Sequence, residues 1–204
     1  MSLCKFIVLG LFVMDLAAAP RLSAQDKKSE TSQQTQASST ATAAQPAPAP
    51  PAARPVDVVS PDAILAAVYE VISGSAGQAR DWDRFRSLYL PGARLVPTGP
   101  KKEGGGFFAR TMTPDEYVGR ATPLFEREGF YEKEAARRVE RYGNIVQVFS
   151  TYESRHDPKE APFARGINSF QLFFDGTRWW VVTVFWQAET AENPIPKEFL
   201  PGAH

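Results

Sequence analysis

Apolar and aromatic positions are densest between residues 165 and 187, where two runs, residues 167–174 and 179–186, flank Asp175-Gly176. Asp-Gly supplies the positive-φ residues of a tight reversal, so the pattern predicts two long antiparallel strands. With the turn at residues 175–178, one face carries Asn168, Phe170, Leu172 and Phe174 with Trp179, Val181, Thr183, Phe185 and Gln187. The other carries Ile167, Ser169, Gln171 and Phe173 with Trp180, Val182, Val184 and Trp186. A hairpin with one wet face alternates cleanly between apolar and polar residues. This one does not, so both faces need cover: helices on one, and another sheet, a subunit or a ligand on the other.

Upstream, the period lengthens to that of helices. Ser60-Pro61-Asp62 reads as an N-cap followed by proline at the first helical position, and Ile64, Leu65, Val68, Tyr69 and Ile72 follow at helical spacing. Residues 73–77 (SGSAG) end that helix. A second starts near Asp81, with Trp82, Phe85, Leu88 and Tyr89 as its stripe and Pro91-Gly92 as its stop. Residues 93–98 read as a short strand and residues 101–106 as a glycine-rich loop. Thr113-Pro114-Asp115-Glu116 is a capping box opening a third helix that runs to Gly129. Residues 130–142 alternate loosely, Gly143-Asn144 turns the chain, and residues 145–155 form a strong strand before the final hairpin. Helices collected first and a four-strand meander last predict an α+β layer fold, with three helices on one face of a curved, mixed but mainly antiparallel sheet. Such a cone leaves space between helices and sheet for a small molecule.

The first 24 residues carry one early lysine, an apolar run over residues 6–14 and the small-residue site Leu22-Ser23-Ala24. That is the layout of a secretory signal peptide, with a run too short to span a bilayer as a helix, and it predicts an exported protein. Cys4 precedes the apolar run, so a chain cleaved after Ala24 has no cysteine and neither disulfide nor thiolate chemistry. Residues 25–57 turn from Ser/Thr/Gln-rich to Ala/Pro-rich, the composition of a disordered spacer. The folded domain is then expected over residues 58–190, with a loose tail over 191–204. With 23 basic and 23 acidic residues the chain has no electrostatic footprint for nucleic acid or for an anionic membrane.

Two stretches carry a resemblance. Residues 81–95 (DWDRFRSLYLPGARL) and the segments Asn168-Ser169-Phe170-Gln171-Leu172, Asp175-Gly176 and Arg178-Trp179-Trp180-Val181-Val182 with Trp186 are similar to the nuclear transport factor 2-like superfamily, in particular its SnoaL-like bacterial branch. The match covers roughly residues 60–189. It implies the α+β cone, but the superfamily includes isomerases, dehydratases, hydrolases, cyclases and transport adaptors, so fold does not select function.

Candidate chemistry is sparse. There is no nucleophile elbow, phosphate loop or metal motif. Of the two histidines, His204 ends the chain and His156 falls in a connection between strands. No metal or cofactor is expected. The matched motifs offer Asp83, Tyr89, Tyr152, Asn168, Gln171 and Trp186 as candidates for lining the cavity, with Tyr152 and Asn168 on adjacent strands. Asp83 also fits a first-turn carboxylate that favours the helix dipole, and Arg165 and Glu153 a cross-strand ion pair. The tryptophans read as sheet packing, and an exposed aromatic sheet face implies a homodimer through the sheet. Three functions stay open: a binder of a small apolar or amphipathic molecule, an acid–base enzyme of the isomerase, dehydratase or hydrolase type, and a protein-interaction module.

Overall fold

The computed structural model describes residues 49–202, so the signal-like segment and most of the spacer over residues 25–57 lie outside the described residues. Among the described residues four helices, α1 (Pro55–Val58), α2 (Pro61–Ile72), α3 (Trp82–Ser87) and α4 (Pro114–Arg127), accompany six strands. The strands are β1 (Tyr89–Pro100), β2 (Phe107–Ala109), β3 (Tyr131–Tyr142), β4 (Ile145–Arg155), β5 (Ala164–Phe174) and β6 (Trp179–Ala188), and a 3-10 turn at Lys197–Phe199 follows. They form one sheet in the order β2-β1-β6-β5-β4-β3, antiparallel except where β1 runs parallel to β6. This is the helix-backed, mixed α+β sheet that the sequence predicts.

The helix starts form as the residue pattern dictates. Ser60 accepts from Ala63 N at 3.1 Å, with Pro61 at the first helical position. Thr113 and Glu116 close a reciprocal capping box at α4. The end of α2 is handled differently. Arg80, 8% exposed, donates Nε to Ile72 O at 3.0 Å, its two terminal nitrogens to Gly74 O (2.7 Å), Gln78 O (2.6 Å) and Ser75 O (3.2 Å), and lies over the Phe125 ring. One guanidinium thus satisfies the Ile72 carbonyl that the helix end leaves without a partner and ties it to the loop that follows.

The core lies between the helices and the inner sheet face. Ile64, Leu65, Phe85, Leu88, Val148, Phe170, Leu172 and Val181 are each at most 1% exposed there. Burial of side chains of this size contributes about 1.5–3 kcal/mol apiece. Asp57, also buried, is held by Arg84 through Nε at 2.8 Å, and that arginine reaches Glu70 as well, tying α1 to α2 and α3. The Arg84 guanidinium accordingly keeps the Asp57 carboxyl below its ordinary value. The fold therefore begins ahead of residue 58.

Four expectations are corrected. Leu88 and Tyr89 do not continue α3: Leu88 is its C-cap, Val181 N donates to Leu88 O at 2.9 Å, and Tyr89 already pairs with Val181. Pro91-Gly92 lies in an irregularity within β1, where Gly92 has φ 87°, rather than at a helix stop. In the final hairpin, a bulge between Gln171 and Leu172 leaves Val182 without an opposite residue. Beyond it Trp186 lies opposite Asn168 and Val184 opposite Phe170, while Thr183, Phe185 and Gln187 turn to the outer face. A single inserted residue swaps the faces, and apolar residues on both sides leave no mark of it in the pattern. Finally, Glu153 and Arg165 face each other in register but bond elsewhere, Arg165 to Glu189 at 2.9 Å and Glu153 to Arg155 at 2.6 Å.

Candidate functional site in the cone

The inner sheet face gathers polar groups around the edge strand β3. Helix α2 docks on this strand: Gly74 N donates to Phe130 O at 2.7 Å and Glu132 N to Ser73 Oγ at 3.0 Å. That docking holds Tyr69, one turn earlier on α2, over the neighbouring strands, and the pleat turns Glu132, Ser150, Tyr152, Ser154 and Asn168 toward it.

A continuous hydrogen-bond network results. Ser154 Oγ donates to Glu132 Oε2 at 2.8 Å, and Asn168 Nδ2 donates to Glu132 Oε1 at 3.3 Å and to the Tyr69 hydroxyl at 3.1 Å. Ser150 Oγ donates to Glu134 Oε2. The serine has a single hydroxyl proton, so in the Tyr69–Ser150 contact of 2.6 Å the phenol is the donor. Glu134 is also bonded by Arg137, which reaches Asp62 at the start of α2.

Glu132 is the electrostatic focus. Burial of its carboxyl pushes the pKa up from 4.5 to about 7, opposed by the hydrogen bonds from Ser154 and Asn168. Tyr69, Tyr89, Tyr117 and Tyr152 are all held above the ordinary phenol value, first by burial, with the Glu132 charge contributing in each case. All four therefore remain neutral hydrogen-bond donors. Tyr69 is engaged in the network. The hydroxyls of Tyr89, Tyr117 and Tyr152 make no hydrogen bond to another described residue, and no fully buried side-chain polar atom among the described residues is unpaired. Their rings are wedged in place, Phe85 lying 4.7 Å from Tyr89 and 5.2 Å from Tyr117 between ring centroids.

The backbone makes room for one of them. A Cβ on Gly166 would lie 2.5 Å from the Tyr152 hydroxyl and 2.3 Å from Gln187 O. Glycine is required here by close approach, whatever the backbone angles.

Of the sequence candidates, Tyr89, Tyr152 and Asn168 converge on this interior, and Trp186 shares the inner face opposite Asn168. Asp83 does not: its side chain is 80% exposed and pairs with Arg86 at 3.2 Å, as a first-turn helix carboxylate would. Gln171 is exposed on the outer face. Sequence reasoning missed Tyr69, Tyr117, Glu132, Glu134, Ser150 and Ser154. Glu132 and Glu134 stand two residues apart in a strand, the spacing that places both on one face, and this was the available signal. His156 stacks on Phe163 at 4.2 Å and contacts Gly129 O, in the surface connection expected for it. Among the described residues no group of three or more His, Cys, Asp or Glu could hold a metal ion.

No protein-family model matches the sequence, and no curated protein matches it. Solved structures do resemble the fold. An NTF2-like protein of unknown function from Pseudomonas putida KT2440 is 10% identical, with 68% of this chain and 92% of that chain covered at a TM-score of 0.48. An NTF-2 like protein of unknown function from Silicibacter pomeroyi DSS-3 is 12% identical, with coverage of 63% and 92% and a TM-score of 0.41. A protein of unknown function with a cystatin-like fold from Nostoc punctiforme PCC 73102 is 6% identical, with coverage of 63% and 87% and a TM-score of 0.48. At such identities the likeness concerns fold alone.

Proposed function

We propose that the inner face of the cone is a small-molecule site in which Glu132 exchanges or shares a proton with an uncharged, partly apolar ligand. One observation carries this reading: a carboxyl raised to about 7 lies within electrostatic reach of three tyrosines whose hydroxyls bond to no other described residue. Buried polar groups ordinarily find partners within the protein. A carboxyl poised near neutrality beside idle donors is the arrangement that acid–base chemistry uses. Phe85 packs against the rings of Tyr89 and Tyr117, so a guest would meet these tyrosines at their hydroxyl ends and would be small. Asn168 and Ser154 hold the carboxyl in place, and Tyr152 and Tyr89 donate to an oxygen of the guest.

The test is native mass spectrometry of the full chain with phenol as the probe, repeated for Glu132→Gln and Tyr152→Phe. Binding that weakens at least tenfold in Glu132→Gln, in protein whose circular dichroism is unchanged, supports the site. Equal binding by all three proteins, or none by any at millimolar phenol, sinks it. Catalysis, the second function class, adds one requirement: turnover must follow a titration near pH 7 that Glu132→Gln abolishes.

Export is part of the same reading, supported by the run over residues 6–14 and the Leu22-Ser23-Ala24 site. An extracytoplasmic protein whose intact mass begins at Gln25 is expected. A chain retaining Met1 in the cytoplasm would refute it.

A further inference from the structure

The outer face of β4, β5 and β6 is partly aromatic and only partly covered. Phe149, Phe185 and Ile145 stay 39%, 47% and 58% exposed on it. Between them lie Gln147, Ser169, Gln171 and Thr183, so the middle of the face carries no charged side chain. At one end the charges are neutralised within the chain, Arg155 with Glu153 at 2.6 Å and Arg165 with Glu189 at 2.9 Å. On the flanking strands Arg94, Arg138 and Glu140 share this face, so charges of both signs surround an uncharged, partly aromatic centre, which is the composition of a self-complementary interface.

The segment that follows β6 folds back over this face instead of trailing away. Glu189 begins it, accepting from Ile195 N at 2.9 Å, and Ile195 is 9% exposed. Phe199 then packs on Phe149 and beneath Arg138, each at 5.6 Å, while Thr151 Oγ1 donates to Phe199 O at 2.6 Å. A groove of about 250 Å³ is left between this strap and the sheet, with Phe149, Ile167, Phe185 and Ile195 in its walls. Two sheets that pack face to face sit about 10 Å apart. A backbone lying across one of them occupies that layer, so the strap and a second sheet exclude each other.

We propose that the C-terminal strap, residues 189–199, and a second copy of this chain compete for the outer sheet face, and that the strap thereby sets the association state. With the strap seated the chain is a monomer. With it displaced, two copies dock through Phe149 and Phe185. The strap is held by two anchoring side chains and a few hydrogen bonds, but its tether gives it a millimolar effective concentration that a free partner has to match. Weakening one anchor is enough to reverse the outcome.

Sedimentation velocity of the full chain at 1–100 µM tests this, alongside Phe199→Asp and a chain ended after Glu192, two independent ways of releasing the strap. The native chain is expected to be monomeric, and both released chains to self-associate at least tenfold more tightly. Adding Phe185→Arg to Phe199→Asp is expected to restore the monomer. The proposal is overturned if the native chain dimerises as tightly as the released ones, if both released chains stay monomeric while retaining native circular dichroism, or if Phe185→Arg leaves the dimer intact. A released monomer that carries a bound small molecule by native mass spectrometry overturns it as well, by assigning the face to a different occupant.

Discussion

Glu132 makes the stability of this protein depend on pH in a direction opposite to that of most carboxylates. Burial raises its pKa from 4.5 to about 7 in the folded chain, whereas the unfolded chain keeps the ordinary value. Between those two values the native state binds the proton and the unfolded state does not, so stability falls as pH rises. It is fully present below about pH 4.5 and lost by the time pH has passed about 7. At about 1.4 kcal/mol for each pH unit separating the two values, the ceiling is about 3 kcal/mol. The residue retains some solvent contact, which places the expected loss at about 2–3 kcal/mol. Glu132→Gln removes the titration while keeping the size of the side chain and an acceptor for Ser154. Its new amide faces Asn168 Nδ2, a donor, so a constant cost of about 1 kcal/mol accompanies the change. Urea unfolding at pH 5, 6, 7 and 8 separates the two effects. The difference in stability between native and Glu132→Gln should shrink or change sign as pH rises, by about 2–3 kcal/mol across the range. A difference that stays flat with pH would show that the Glu132 carboxyl is solvated, and would remove the physical basis of the proposed site.

Gly166→Ala should lower stability by about 2 kcal/mol or more, because its methyl group would sit 2.3 Å from Gln187 O, where backbone has to move; an unchanged melting temperature would refute the close approach. Arg80→Ala leaves the carbonyls of Ile72, Gly74, Ser75 and Gln78 without this donor, and a loss of about 2–4 kcal/mol is expected in denaturant titration. Arg80→Lys should recover only part of that, since an ammonium cannot reproduce the planar fork. Asp83→Asn should change stability by less than about 0.5 kcal/mol and leave phenol binding untouched, its carboxylate being 80% exposed; a larger effect on either would return Asp83 to the site.

Local chemistry was enough for much of this fold. The capping residues Ser60 and Thr113, the stripe from Ile64 to Ile72 and the Asp175 reversal each specify their own neighbourhood, and each forms as written. Asp175 illustrates why: it accepts from Thr177 N, Arg178 N and Trp180 Nε1 within five residues, so the hairpin is closed by contacts near in sequence, which also hold its carboxyl well below the usual range. The order of elements, helices first and meander last, then determined the layer class.

What the chain could not announce depends on contacts between distant residues. The extra residue at Val182 is invisible where both faces are apolar, yet it decides that Trp186 joins Asn168 inside and Phe185 goes outside. Tyr69 reads as one more apolar helix position until α2 is laid on β3, 63 residues away, where its hydroxyl meets Ser150 and Asn168. Glu132 reads as one charge in a loosely alternating strand, and only enclosure by α2, β4 and β5 shifts its titration toward neutrality. The tail beyond Glu189 has the composition of a loose end, and it folds because Phe149 and Arg138 offer Phe199 a place to bury. Periodicity and capping act over a few residues, and the sequence carries them openly. Burial, desolvation and register are properties of surfaces brought together from distant parts of the chain, and tertiary structure alone sets them.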